Sequence, residues 1–493
     1  MDREDRDVKG SLTEAKHRED DARRLVPARQ RQKAQQQPAA EEGSKVFEES
    51  VSVSPELSSW IKLNANDLKI RMTDRQWAAK TVNDFRNNLL KFLKSNSDQP
   101  FFQSADLLNT GSYFENVKIR RPNEFDVMVK IQVCPRLNMI DLDGGLFYRI
   151  DLLRPTRDPI RAFLLENKRT ISSSKFLSEM YRLVRKFLKT YKVPDAGCRW
   201  EVNRKQMYSP AVTLSLRRLE NISDELISVD LVPALECSQA WPVPVRNGLD
   251  VDRWLGKKVH QEFESSPCYF VPKRLKGRNL SEDAKESWRI SFSKVEKTIM
   301  RSHGNTKTCC ERKDTKCCRK QCLMLLKSLI EGLKQRFPKE LDPLCSYHAK
   351  TTFLHTLSLR FDDSMWAQQQ LPECFLLLLR DLQSHARTGK LPHFFVPGCN
   401  LFSADVFPQK ALAFLTSALE EQRSEGLPLL KPPAPLPPLR LRSPSRDDSS
   451  EISSDQSSSR TAVCSLDTTY VHKLVLVLVA VAVAVLSILY VSD

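Results

Sequence analysis

The chain of 493 residues carries 77 Lys and Arg against 61 Asp and Glu, a formal net charge of +16, with 41% hydrophobic and 28% charged residues. That apolar content can bury a core, which excludes a wholly disordered polymer, and the length suits roughly two to four folded units. The positive excess calls for a polyanionic partner, either nucleic acid or an anionic membrane face, and charge alone does not choose between them.

Residues 1–52 are rich in Gln, Glu, Arg and Ala, which predicts a disordered tail. Residues 1–50 hold 11 basic and 12 acidic side chains, so the tail is near neutral. The basic excess lies in the body instead, with 14 basic against 6 acidic residues over 151–210 and 11 against 4 over 301–340. No apolar stretch follows Met1, so no cleaved secretory signal is expected. From Asp67 to Lys94 there is no Gly or Pro, and apolar residues recur at Ile70, Met72, Trp77, Val82, Phe85, Leu89, Leu90 and Phe92. This pattern predicts one or two long amphipathic helices. Strands are predicted over Asn123–Val133, Ala211–Leu216 and Leu226–Val232. After Asp250 the pattern is mainly helical, including Cys322–Phe337, Pro372–His385 and Gln409–Glu421. The expected fold is mixed α/β: a twisted mixed sheet with a long N-terminal spine helix over 53–255, then a helical lobe over 256–424. A Pro-rich and then Ser-rich, acidic stretch over about 425–470 predicts a linker.

The end of the chain differs from the rest. Leu474–Val491 is eighteen residues without a charge, roughly 27 Å as a helix, and Lys473 flanks it on the body side. This predicts a C-terminal membrane anchor over 471–493 with the body in the cytosol. A buried helix or an alternating strand is the alternative.

Three carboxylates stand out. In NEFDVMV, Glu124 and Asp126 are two apart, so on a strand they share a face. In LISVDLV, Asp230 interrupts a run that reads as a buried strand, where a carboxylate needs a cation or strong donors. Converging from two strands, the three could hold Mg²⁺. The plainer reading is an exposed strand face and a private salt bridge. Just upstream, Thr110-Gly111-Ser112 at a helix start offers free N–H groups and a hydroxyl to phosphates, and Gly111 permits close approach. A Gly-Ser turn, an E-x-D strand and a later Asp together form a nucleotidyltransferase pattern, whose chemistry is attack of a ribose hydroxyl on an α-phosphate.

Five of the 13 cysteines, Cys309, Cys310, Cys317, Cys318 and Cys322, fall within fourteen residues beside His303. In a cytosolic chain that clustering points to metal before disulfide, and spacing alone leaves open which of the five bind. A Cys₃His set would be a closed, structural Zn²⁺ site. Reduced thiols are the alternative. Lys307, Arg312, Lys313, Lys316, Arg319 and Lys320 stud the same stretch. No base-reading helix is evident, so a duplex held here would be gripped by its phosphates. Lys69, Arg71, Arg75 and Lys80 on the N-terminal helix would form the other edge. A solvated charge run is the bland reading of all these residues.

The run LLNTGSYFENVKIRRPNEFDVMVKI resembles the core motif of the cyclic GMP-AMP synthases, a branch of the Mab21-type nucleotidyltransferases. WRISFSKVEK, HGNTKTCCERKDTKCCRKQC and CSYHAKT resemble the same family in the same order, over about residues 55–424. The resemblance implies that Glu124, Asp126 and Asp230 hold two Mg²⁺, with Mn²⁺ as a substitute. It implies that one Zn²⁺ sits on His303, Cys309, Cys310 and Cys317 in a thumb over 303–318. It places Thr110, Gly111 and Ser112 at nucleotide phosphates, and Lys273, Arg289, Ser293, Glu296, Lys327, Ser346, Tyr347 and Lys350 at nucleotide-contacting positions. Tyr347 would stack on a base, a contact of about 1–3 kcal/mol. It further implies ATP and GTP as substrates, double-stranded DNA as activator, a 2:2 assembly on DNA, 2′,3′-cyclic GMP-AMP as product and a downstream cyclic-dinucleotide receptor, in innate immune sensing of DNA. Met324 stands where a family lysine is expected, which predicts weaker DNA binding. The alternatives are a synthase with another trigger, such as double-stranded RNA, or another product, and a non-catalytic membrane-tethered nucleic-acid binder. The expected location is cytoplasmic, tethered to an intracellular membrane with the endoplasmic reticulum favoured; a nuclear pool is also compatible.

Overall fold

A computed structural model describes residues 52–430 apart from 222, 247, 249, 250 and 277–280. The tail over 1–51, most of the Pro/Ser-rich stretch and the apolar segment 474–491 lie outside the described residues. Among the described residues no helix is long and apolar enough to cross a membrane.

Two helices open the fold, the first starting a dozen residues before the expected stretch. Ser54 accepts the Leu57 N–H at 3.2 Å to start α1 (Pro55–Asp67), and Pro55 fills its first turn. The chain breaks over 68–71 and resumes as α2 (Met72–Ser95). At the break the Leu68 carbonyl accepts the Arg120 N–H at 2.9 Å, taking an acceptor that a continuous helix would use itself. Lys69 and Arg71 therefore sit in the break and not on a helix.

Strands β1 (Ala105–Thr110) to β9 (Trp288–Ser291) form one nine-stranded sheet. Its main path runs β1, β2 (Glu124–Val133), β7 (Glu225–Cys237), β8 (Cys268–Val271), β9, β4 (Phe147–Leu152) and β3 (Leu137–Asp141). Strand β6 (Val212–Arg218) also pairs with β7, and β5 (Cys198–Val202) pairs with β6. Only β2 and β7 run parallel among these pairs. Along β2 the alternation works as expected, with Phe125, Val127, Val129, Ile131 and Val133 buried on one face. Helix α3 (Gly111–Phe114) follows β1 directly. Helix α4 (Ser173–Thr190) packs beneath, burying Phe176, Met180, Leu183, Val184 and Phe187 at helical spacing.

Beyond residue 256 a short helix over 257–265 comes first, and the chain then returns twice to the sheet, as β8 and β9, before it stays helical. Helices α5 (Ser293–Arg301), α6 (Arg319–Arg336), α7 (Ser346–Leu359), α8 (Leu371–Thr388) and α9 (Gln409–Ser424) follow, with a two-stranded hairpin of β10 (Pro392–His393) and β11 (Val396–Asn400) between the last two. One hydrophobic core runs from Ile61 to Leu430, so sheet and helices share an interior. Packing also continues into the expected linker: Leu427 and Leu430 are buried, and the Leu427 carbonyl accepts the Trp60 indole N–H at 3.2 Å.

A candidate nucleotidyltransferase site

Pairing across β1, β2, β7 and β6 lays four residues in one row. Thr110 lies opposite Asp126, Asp126 opposite Asp230, and Asp230 opposite Thr213. Directly paired residues project from the same face, so the sheet itself brings the two aspartates together. The Thr213 hydroxyl donates to Asp230 Oδ1 at 2.6 Å, and the Thr110 hydroxyl donates to the Asp126 carbonyl at 3.3 Å. Gly111 sits beside them at φ +77°, and a Cβ there would lie 1.8 Å from Asp126 Oδ2. Both the backbone angle and the space admit only glycine.

The carboxylates are held under electrostatic pressure. Burial, then Asp230, Glu124 and Glu115, push Asp126 up to about 6 against the pull of Lys350. Burial and Glu124 raise Asp230 although the Thr213 hydrogen bond opposes them. Glu124, two residues before Asp126, is two-thirds exposed and ion-paired with Lys118. Asp126 and Asp230 offer hard oxygen donors side by side and Glu124 raises both, so a cation would be favoured there, although Glu124 itself does not line the cavity beside them. That chemistry fits Mg²⁺ or Mn²⁺.

Asp126 and Asp230 open into a cavity of about 430 Å³, whose wall includes Thr110, Gly111, Lys273, Arg289, Ser293, Glu296, Tyr347 and His393. Its cations show the opposite strain. Burial, then Arg289 and Lys276, push the Lys273 ammonium down to about 7, and burial lowers Arg289 as well. The cavity thus holds two aspartates and two cations whose charge is only partly compensated, by Lys350 on Asp126 and by Glu296 on Arg289. A phosphate ligand carrying divalent metal would relieve both.

Four of the expected nucleotide residues do not line this cavity. The Ser112 carbonyl accepts the Val117 N–H at 2.9 Å, and its hydroxyl has no cavity contact. Lys327 is buried and donates to the Val117 carbonyl at 2.9 Å, with burial pushing it down to about 8. Ser346 opens α7 on the exposed surface. Lys350 stands behind the wall, donating to Glu115 Oε1 at 2.8 Å and Glu296 Oε2 at 2.9 Å.

His303, Cys309, Cys310 and Cys317 present ligand atoms that all lie within 4.8 Å of one another. His303 Nε2 is 3.5 Å from Cys310 Sγ and 3.3 Å from Cys317 Sγ, while its Nδ1 faces the Met300 carbonyl at 3.1 Å. That second contact holds Nε2 free for a metal, and three thiols with one imidazole fit Zn²⁺. Of the two remaining cysteines in the stretch, Cys318 and Cys322 are buried in the core.

The sequence over residues 113–302 matches the Mab-21 protein nucleotidyltransferase domain, and residues 318–421 match the Mab-21 protein HhH/H2TH-like domain. A cyclic GMP-AMP synthase of Mus musculus is 39% identical over 371 residues, covering 75% of this chain and 70% of that protein. The synthase of Sus scrofa is 38% identical over 357 residues, covering 71% and 68%. The chain belongs to the Mab-21 nucleotidyltransferase family. A cyclic GMP-AMP synthase-like receptor of Magallana gigas is more distant, at 25% identity over 372 residues, with 74% of this chain and 58% of that protein covered.

Within this family frame the expected DNA-facing cations divide. Lys307, Arg312, Lys313 and Lys316 are exposed on the His/Cys loop, Arg312 beside Asp314 at 3.3 Å, and Lys320 is half-buried. Lys69 and Arg71 are exposed in the helix break. Arg319 differs. It is fully buried, pairs with Asp363 at 2.8 Å, donates to the Phe361 and Asp362 carbonyls, and lies over the Trp366 ring. Asp363 in turn accepts the Asn305 and Thr306 N–H groups, so the pair ties the loop to the helices. Arg319 cannot reach a phosphate from there. Met324 is 9% exposed and packs in the core.

Sequence reasoning missed Thr213, Glu115, Lys118 and His393. Thr213 carries a faint signal as a polar residue in AVTLSL, but its link to Asp230 depends on strand register. His393 follows Pro392 in an unremarkable LPHFF run, and nothing local places it in a cavity.

Proposed function

We propose that this protein is a double-stranded-DNA-activated cyclic-dinucleotide synthase that joins ATP and GTP into 2′,3′-cyclic GMP-AMP. The observation that carries the reading is the opposed strain in one cavity: Asp126 and Asp230 pushed up beside each other, Lys273 and Arg289 pushed down across from them. Magnesium nucleotides supply both missing charges. Glu124, Asp126 and Asp230 would hold two Mg²⁺ ions, which when bound stabilise the entering and leaving oxygens of phosphoryl transfer. The chain's own part is positioning. Thr213 orients Asp230, Gly111 lets the backbone approach a phosphate, Lys273 and Arg289 take phosphate charge, and Tyr347 offers a ring to a base. Two such transfers in one cavity, with the linear intermediate turned over between them, close the ring.

Zn²⁺ on His303, Cys309, Cys310 and Cys317 would stiffen the loop that presents Lys307, Arg312, Lys313 and Lys316 to a duplex backbone. With Lys69 and Arg71 as the opposite edge, two chains would embrace two duplexes, and the product would act on a cyclic-dinucleotide receptor. The near-neutral N-terminal tail, the buried Arg319 and Met324 leave fewer phosphate contacts, which lowers the expected affinity for a duplex; a second reading has duplex RNA as the activator. Residues 474–491 would tether the cytosolic body to a membrane such as that of the endoplasmic reticulum. A soluble reporter carrying residues 466–493 would then sediment with membranes, and a reporter left in the soluble fraction overturns the tether.

The deciding experiment incubates the full chain with Mg²⁺, ATP and GTP, with duplex DNA, duplex RNA or neither, and identifies products by mass and linkage. The reading expects cyclic GMP-AMP with DNA. Product with RNA alone selects the second reading. No cyclic product with any activator removes the synthase.

A further inference from the structure

We infer that His393 is a positioning residue that fixes Tyr347 in the nucleotide cavity through a hydrogen-bond chain with one permitted direction. The inference rests on the reading that Tyr347 receives a purine base. His393 ends β10, lines the cavity and is 3% exposed, with ring centroids 5.4 Å from Phe292 and 6.0 Å from Phe395. Its Nδ1 accepts the Phe395 backbone N–H at 3.2 Å. The neutral imidazole must therefore carry its proton on Nε2, which faces Tyr347 Oη at 2.9 Å. Tyr347 Oη accepts that proton and spends its own on Glu296 Oε1 at 3.1 Å. Glu296 Oε2 receives the Lys350 ammonium at 2.9 Å, and Lys350 also reaches Glu115 at 2.8 Å.

The chain starts on a backbone amide that cannot reverse and ends on a lysine that can only donate, so the His393 and Tyr347 protons each have one place to go. Burial sets the protonation state as well. Against the pull of Glu296, burial, with Arg289 and His355 beside the ring, pushes His393 down to about 4. The groups facing the imidazole are thus Tyr347, Glu296, Arg289 and His355, and none of them supplies Nδ1 with an acceptor that would reward a second proton. A tyrosine held this way has lost its rotamer freedom before a base arrives. Stacking then costs less entropy.

Calorimetric titration of the full, zinc-loaded chain with GTP and with ATP in Mg²⁺ tests this without need of an activator. His393→Phe fills the space between Phe292 and Phe395 but donates nothing, and its Kd should rise roughly three- to tenfold. His393→Gln returns a donor near the Nε2 position and should bind within about twofold of the native chain. Tyr347→Phe keeps the ring, loses the hydroxyl and should match His393→Phe, and the double variant should be no weaker than either single one. Native affinity in His393→Phe, equal weakness in His393→Gln, or multiplicative losses in the double variant overturns the inference. Should His393→Phe fail to fold, native affinity in Tyr347→Phe overturns it equally. Tyr347→Leu separates the two readings. If it binds like the native chain, base stacking itself is wrong; if it binds poorly while His393→Phe binds normally, only the role of His393 is.

Discussion

Lys273 is the residue whose titration reports most directly on what the cavity binds. The folded chain releases its proton at about 7, against an ordinary value of 10.5, because burial, Arg289 and Lys276 disfavour the charge. The unfolded chain keeps that proton up to its ordinary pKa. The penalty on the folded state is therefore full below pH 7 and is relieved as pH rises toward 10.5. A phosphate beside Lys273 reverses the balance, so nucleotide binding at pH 8 should take up close to one proton. Asp126, at about 6, is already ionised at that pH and adds nothing. The check is the dependence of binding enthalpy on buffer ionisation enthalpy at pH 8 and pH 6, with the larger uptake at pH 8; equal or absent uptake contradicts phosphate contact at Lys273. Much of this site was legible residue by residue. Asp230 could be singled out because a carboxylate inside a β-branched run violates burial rules. His393 and Thr213 could not, because each acquires its place only through strand pairing between distant segments.

At the scale of elements, the His/Cys loop illustrates how one stretch of charge serves two ends. Arg319, where the loop enters α6, is buried against Asp363, whereas Lys313 is exposed on the loop itself. Arg319→Ala removes a buried side chain and leaves the half-buried Asp363 without its cation, and should lower stability by roughly 1–3 kcal/mol. Lys313→Ala should leave stability within about 0.5 kcal/mol and reduce the salt slope of duplex binding by about one phosphate contact. Urea unfolding and binding across a salt series read the two effects. Equal stability losses in both variants would contradict this division. Sequence could not separate them, because composition shows a run of cations but not which one the fold turns inward. The strands β2, β6 and β7 were readable from their alternation or β-branched runs. Their order was not, since the parallel pairing that sets Asp126 against Asp230 links residues about a hundred apart in the chain. The break between α1 and α2 also escaped, because it follows from the Arg120 N–H claiming the Leu68 carbonyl rather than from any Gly or Pro.

Over the whole molecule, one core joins the sheet to the helices and continues to Leu430. The C-terminal residues past α9 therefore belong to the fold. Leu427 and Leu430 are buried, and the Leu427 carbonyl holds Trp60 of α1. A chain ending at residue 424 forfeits that burial, roughly 1.5–3 kcal/mol for each leucine, and its urea midpoint should fall well below that of a chain ending at 440; equal midpoints contradict the closure. Composition misplaced this boundary because a Pro-rich run looks like linker even where its first leucines are buried. The central claim is that the paired aspartates of β2 and β7 carry phosphoryl transfer. It is tested most directly by comparing product yield from the full chain and from Asp126→Asn, a near-isosteric change, with ATP, GTP, Mg²⁺ and the activating duplex. Removing a buried ligand of the transferring site should cut the rate by about a hundredfold or more. A variant that retains a third or more of the native yield would contradict the account.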